Sequence, residues 1–475
     1  MPTVGVYKGD STPLSYGVEE NEYYELSGAT IGSTTITDAT QNFGASGRLK
    51  GQYLWILSGT AVGRQYQLTN STSTVLTCDA ATFSADGVGA NDKIAISTYG
   101  IKPAATDKFF GVVESAPGLE EEIDVKEFYT AAAGRDRFTS VEGAHKIEET
   151  LEFLVLLGGV LGFALGGEAT VGSSPSNATT LNGAIKAGAK KIVLASAAGY
   201  LTNDYFQVSS GIDFTVSPLK NIAEVRKITA VVTNTLTLDA PLSFDHDTGQ
   251  AVNEVVAPYT HTFGGITRLP SLCVERVFRA VADLVLHTRG LKFNELTVSG
   301  EKEGPLKASV GVLARDTAKG LASASVLTVP STRPYYFDQG LLTFNGFTVA
   351  KLVKFSHKIG NGAKLAHYIQ TLAVDGRLPL DAIEGKRHHE ARFTTNPIDS
   401  TFFDLIKTSA ELNASILFTR GANDTLSIAM NGWRTNSAKH PIPEEGAVEV
   451  EIQGMVKTTV ITVVDSTPWY IGTAI

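Results

Sequence analysis

Cysteine is almost missing from this chain: two among 475 residues, Cys78 and Cys273, lie far apart in sequence. Two thiols cannot staple a fold of this length, so stability has to come from a packed core, and a reducing compartment fits the composition. Methionine and tryptophan are equally sparse, at three each. Charge is thin too, at 19% of residues against 43% hydrophobic, which describes a folded chain rather than a disordered one. The longest apolar run, 153–167, has 15 residues, short of the roughly 20 that span a bilayer. Residues 1–8 lack the basic and apolar regions of a secretory leader. Neither membrane insertion nor secretion is therefore expected. Basic residues are in deficit, 40 against 49 acidic, for a net charge of −9. Tight nucleic-acid binding needs the opposite sign, because lysine and arginine neutralise phosphates.

What is abundant is glycine, at 46, together with threonine, serine and valine. That mixture favours short strands and turns, and the length suits several domains. One ten-residue frame occurs twice. Gly134 and Arg135 are followed after six residues by Glu142 and Gly143, and Gly376 and Arg377 by Glu384 and Gly385, at a constant offset of 242. A charged stretch and a phenylalanine, Phe153 or Phe393, follow each copy. Later Glu-Gly pairs, Glu303-Gly304 and Glu445-Gly446, open strand-like runs. A framework written twice, without evident catalytic residues, implies a protein whose task is geometry.

The frames divide the chain. Residues 1–25 read as an irregular arm and 26–98 as a small inserted β domain. A first framework copy spans 99–170 with 257–315, a second small inserted β domain spans 171–256, and 316–336 form a connector. The second copy spans 337–465 and a terminal arm 466–475. The two inserted domains echo each other: Leu76-Thr77-Cys78-Asp79-Ala80 returns as Leu236-Thr237-Leu238-Asp239-Ala240. Without the second insert the first copy has 131 residues against 129 in the second. Each copy is expected to carry a flanking α-helix, one in the glycine-rich 153–167 and one capped by Asp399 or Ser400. In the last strand Val448, Val450 and Ile452 share one face, which sets Glu449 and Glu451 on the other, anionic face.

Sites of chemistry have bland readings here. Gly158, Gly159, Gly162, Gly166 and Gly167 are not in G-x-G-x-x-G order, so a packed helix ending in a glycine cap is expected instead of a dinucleotide loop. His388 and His389 are adjacent on a strand and point to opposite faces, poor geometry for one metal ion. Asp245-His246-Asp247 lacks the ligand alternation of a calcium loop. Glu120-Glu121-Glu122 marks a solvated acidic loop. No catalytic, cofactor or metal site is expected, and Trp469 and Tyr470 in the terminal arm stand out as aromatic anchors for a neighbouring subunit.

The framework from about 101 to 465 resembles the tail tube proteins of long-tailed bacteriophages. The likeness rests on Phe109-Phe110-Gly111-Val112-Val113, on Gly134-Arg135-Asp136-Arg137-Phe138, on Glu149-Thr150-Leu151-Glu152-Phe153 and on the alternating strand after Glu445. It implies a mainly β chain of two tandem sandwich- or barrel-like tube domains, with the inserts as small barrel-like domains. It also implies a virion protein that is not an enzyme and polymerises with itself into stacked rings, meets other tail proteins, and passes DNA without specific binding. Tube subunits of this family usually carry one such domain, six per ring. Two joined copies therefore lead to an expected trimeric ring of pseudo-sixfold symmetry, with an anionic lumen that includes Glu449 and Glu451. The rival expectation is a distal-tail or host-adhesion protein that binds a receptor or glycan through the inserts.

Overall fold

The computed structural model describes residues 14–471 apart from 20, 79–82, 102, 104–107, 116–118, 120–121, 129–138, 174–176, 215–218, 279–283, 321–329, 331, 350–351, 368–376, 380, 397–410 and 440–448. The chain is mainly β, in several antiparallel sheets. The duplication is visible in strand register. Leu284–Glu301 pairs with Lys307–Ala314 through Phe293↔Val312 and Glu295↔Gly311, with a bulge between them. Asp424–Lys439 pairs with Val450–Val456 through Thr435↔Gly454 and Ser437↔Gln453, with the same bulge. The extra residue is Asn294 in one copy and Asn436 in the other. Four residues before each stands a glycine in the left-handed region, Gly290 (φ 65) and Gly432 (φ 64). A side chain there would strike Arg315 or Lys457, at 2.8 and 2.9 Å from an added Cβ.

Those two long strands each serve two sheets, and the glycine is where they change over. Residues up to Leu291 pair with Ser271–Phe278, and those from Lys292 with Lys307–Ala314. Trp433 and Arg434 divide the second copy's strand the same way between Leu412–Gly421 and Val450–Val456. Alternation along the strands aims one face of each sheet inward. Leu151, Phe293, Val310, Phe355, Phe393, Trp433 and Ile452 thus join a single buried cluster that both copies share.

Register also corrects the sequence reading at four places. Leu14–Glu19, expected in an irregular arm, is a fully buried strand. It matches Gly340–Phe344, since Tyr16 pairs Val274 and Lys108 where Phe344 pairs Ala414 and Phe347. Asp316–Gly320, expected in the connector, pairs Leu284–Glu301 as Thr458–Asp465 pairs Asp424–Lys439. The partner of Phe393 is Leu151 and not Phe153, because Leu151 faces Val310 where Phe393 faces Ile452. The helix expected in 153–167 is a buried 3-10 helix, Gly158–Ala164, and not an α-helix. Gly159 and Gly162 lie against Tyr470 and Phe263 with no room for a Cβ, and Gly166 (φ 92) follows its cap as expected. The second helix, at Asp399 and beyond, lies outside the described residues.

Residues 17–107 replace a two-residue turn. In the second copy the same hairpin closes through Asn345 (φ 45) and Gly346 (φ 84), the left-handed pair of a type I′ turn. Residues 22–96 build a seven-stranded sheet with its own core around Ile36, Leu54, Leu68 and Ile94. Residues 181–252 hold another separate core around Ile192, Phe206, Ile228 and Leu236. The stem of that second unit, Ala251–Gly265 with Gly166–Ser173, adds to the sheet of the second copy through Tyr259↔Asp465 and Phe263↔Ile461.

Candidate functional site

The two copies are joined edge to edge. Leu284–Glu301 pairs with Leu352–Gly360 from Glu295↔Gly360 to Glu301↔Lys354. This makes one sheet in the order Val112–Ser115, Thr139–Leu154, Lys307–Ala314, Leu284–Glu301, Leu352–Gly360, His388–Thr395, Val450–Val456, Asp424–Lys439. Polar groups lock the joint. Lys292 is buried at 1% exposure, and its ammonium donates to Glu384 (2.8 Å), Asp381 (3.1 Å) and the carbonyl of Ala382 (2.8 Å). Asn294, freed from the ladder by its bulge, accepts from the amide of Ala363 at 2.7 Å. Asn361 donates to the carbonyls of Phe293 and Ala164 and accepts from Arg387. A cation buried at a joint is tolerable only with its partners in place, so this contact fixes which edges meet. Sequence reading missed Lys292, Asn294, Asn361 and Arg387. Glu384 was visible as half of the repeated Glu-Gly frame, but not its partner.

The outward face of this sheet carries Glu451, which is half-buried, and Glu449, which is exposed just before the strand. The face is not purely anionic. Arg392 sits 3.7 Å from Glu451 and 3.4 Å from Glu390, Lys358 lies 2.7 Å from Glu295, and Lys354 lies 3.5 Å from Glu301. Neighbouring strands bring basic side chains opposite acidic ones, which a single strand's pattern does not reveal.

Of the two aromatics expected to anchor a neighbour, Tyr470 is buried within its own chain and Trp469 beside it is half-buried. Tyr470 is 2% exposed, edge-on to His261 at 5.1 Å and to Phe263. Its hydroxyl donates to Asp465 and lies 3.2 Å from the hydroxyl of Thr467. Trp469 lies under the ammonium of Lys108 at 3.9 Å. The backbone amides of Tyr470 and Ile471 both donate to the buried carboxylate of Glu168, which also holds His261 Nδ1 at 2.8 Å. The C-terminal tail is thereby clamped to the stem of the second inserted unit.

The other sequence candidates are structural. His388 is exposed and His389 buried, on opposite faces as expected. His389 and His357 share the hydroxyl of Thr459 at 3.0 Å each. Asp245 pairs with Lys186 and Asp247 with Lys220 across a turn. Glu122 pairs with Lys146; Glu120 and Glu121 lie outside the described residues, as do Gly134, Arg135 and Gly376.

The histidines predict a pH profile. Burial lowers the pKa of His261, but Asp465 and Glu168 outweigh it and push it up to about 9. Its contribution is fully present below the unfolded value near 6.5 and is lost as pH rises through 9. Burial pushes His357 and His389 down to about 3 and about 4, helped by His389 on the former and by Arg387 and His388 on the latter. These are neutral when folded, so protons binding the unfolded chain below pH 6.5 erode stability toward pH 4. Burial pushes the Glu19 carboxyl up to about 7, which acts in the opposite sense between pH 4.5 and 7, so the expected result is a fall in melting temperature from pH 7 to 10 that flattens in His261→Gln.

A duplicated, mainly β framework whose buried charges join one copy to the other defines a structural protein assembled from sheets. The chain belongs to the phage tail tube protein family, whose model matches residues 89–456. It is a structural protein of the virion tail. No curated protein matches its sequence. The family match begins at the end of the first small sheet, so Leu14–Glu19 is attached to the framework by register alone.

Proposed function

We propose that the chain polymerises into stacked rings that form a hollow tail tube through which genomic DNA passes, with three chains to a ring. One observation carries this reading: the joint inside the chain has spare ends. Val112–Ser115, at one end of the long sheet, is the counterpart of Leu352–Gly360, and Asp424–Lys439, at the other end, is the counterpart of Leu284–Glu301. Each has a single neighbour in that sheet among the described strands. Exposed sheet edges invite pairing with another chain, and here the complementary edges sit at opposite ends of one molecule. A head-to-tail contact of this kind closes into a ring when its rotation allows. Two framework copies per chain then give six framework units from three chains. The charge-compensated outward face of the sheet lines the channel in this arrangement, and it offers DNA neither a basic track nor base-reading groups. The units at 26–98 and 171–256 are inserted domains that face outward, away from the channel.

Electron microscopy of the purified protein tests this. The expected result is tubes whose projections have three chains per ring with pseudo-sixfold outlines; rings of six chains would overturn the ring number, and discrete particles the tube itself.

A further inference from the structure

We infer that the first inserted unit is a brace for the joint between the two framework copies, and that Trp55 is the positioning residue through which it acts. The brace is independent of ring formation. The hairpin that carries this unit does not need it to close, since the second copy closes the same hairpin in two residues. The strand Tyr53–Ile56 of the unit nevertheless presents Trp55 to Arg268, whose guanidinium lies 5.8 Å from the centre of the indole ring. Arg268 follows the stem of the second unit in sequence and donates to Asp381 at 2.8 Å. Asp381 in turn accepts from Lys292, the buried cation of the joint. Three contacts in series thus run from the first unit to the strand that joins the copies.

Charge balance gives this series its weight. Lys292 faces two carboxylates, Asp381 and Glu384, so without Arg268 the joint holds one more negative charge than positive. A desolvated charge that lacks a partner is costly, and the side chains of Arg268 and Asp381 are only 29% and 25% exposed. Arg268 supplies the second cation, and the face of an indole orients a planar guanidinium by cation–π attraction and stacking. The first unit also reaches the joint by a second route. Tyr99, buried just past the unit's last strand, has its ring 5.5 Å from the Lys292 ammonium. The carbonyl of Tyr99 accepts from Gln52 of the unit and from Arg315, at 3.1 Å each. The chain entering and leaving the unit is pinned at the same place, where the Glu19 carboxyl accepts from the amides of Gly100 and Gly290 at 2.8 Å each. Gly290 is the glycine at which Leu284–Glu301 changes sheets, two residues before Lys292.

Hydrogen exchange of the full-length chain tests the brace. In Trp55→Ala the amides of 352–360 and 381–384, which belong to the joint and lie outside the first unit, are expected to exchange at least about tenfold faster. Trp55→Phe keeps an aromatic face for the guanidinium and should restore most of the protection. Arg268→Gln cuts the series without touching the core of either unit, and should speed exchange in the same segments. Adding Trp55→Ala to Arg268→Gln should speed it no further there, because both changes remove one interaction. Unchanged exchange at 352–360 and 381–384 in Arg268→Gln, or in a Trp55→Ala chain whose first unit stays protected, would overturn the brace. A double variant whose increase is the product of the two single increases would overturn it as well.

Discussion

Lys292→Ala is expected to cost about 3–5 kcal/mol of stability, because it strips the cation from a buried cluster and leaves the carboxylates facing each other. Lys292 is the sole basic side chain shared by Asp381 and Glu384 among the described contacts; Arg268 reaches Asp381 from the other side. The amide of Leu269 also donates to Glu384, so part of the Glu384 charge stays compensated, and the loss falls mainly on the strand joint. The effect should be largest on the cooperativity of unfolding: the two copies share one core, and loosening the joint between Leu284–Glu301 and Leu352–Gly360 exposes it. Chemical denaturation followed by tryptophan fluorescence checks this, since Trp433 lies in that core. A lysine-to-methionine change should cost nearly as much, which separates lost charge from lost volume. A variant as stable as the parent would show that the joint is held by strand pairing alone.

The second large effect is expected at Glu168. Glu168→Ala removes the acceptor for two backbone amides and one of two carboxylates beside a charged His261, with an expected loss of about 3–5 kcal/mol. The 466–471 tail should become sensitive to protease, releasing Tyr470 from its slot against Gly159 and Phe263. Glu168→Gln keeps an acceptor but not the charge, so it should cost less and reduce the alkaline decline of melting that His261 produces. Unchanged protection of the tail in Glu168→Ala would refute the clamp.

Much of the framework was legible in sequence. The last strand, Val450–Val456, follows from the alternation of Val450 and Ile452, and the 242-residue offset of the Gly-Arg and Glu-Gly frames is the same offset that ladder register gives for Thr139–Leu154 and His388–Thr395. Leu14–Glu19 was missed for a physical reason. It is six residues long, and the inserted residues 17–107 shift its spacing from the rest of its copy, so no constant offset marks it. Asp316–Gly320 was missed because it opens 316–336, a stretch rich in serine, alanine, threonine and proline that resembles a linker until a partner strand is known. Tyr470 was misread because its environment comes from Glu168, 302 residues away. The mixed charge around Glu451 comes from Arg392 on a neighbouring strand.

The sequence by itself determined that the chain is mainly β, that its framework is doubled and that it carries two further small β segments. These are local properties, set by the two-residue period of strands and by turn chemistry such as that of Asn345 and Gly346. Tertiary structure alone decided which edges meet, which charges are buried together and which aromatic residues remain available to a neighbour. Lys292 and Glu384 are 92 residues apart in sequence, and no periodicity along one segment encodes a partner on another. Strand pairing and desolvation act between distant segments, and they are what turn two copies of one framework into a continuous sheet with complementary ends.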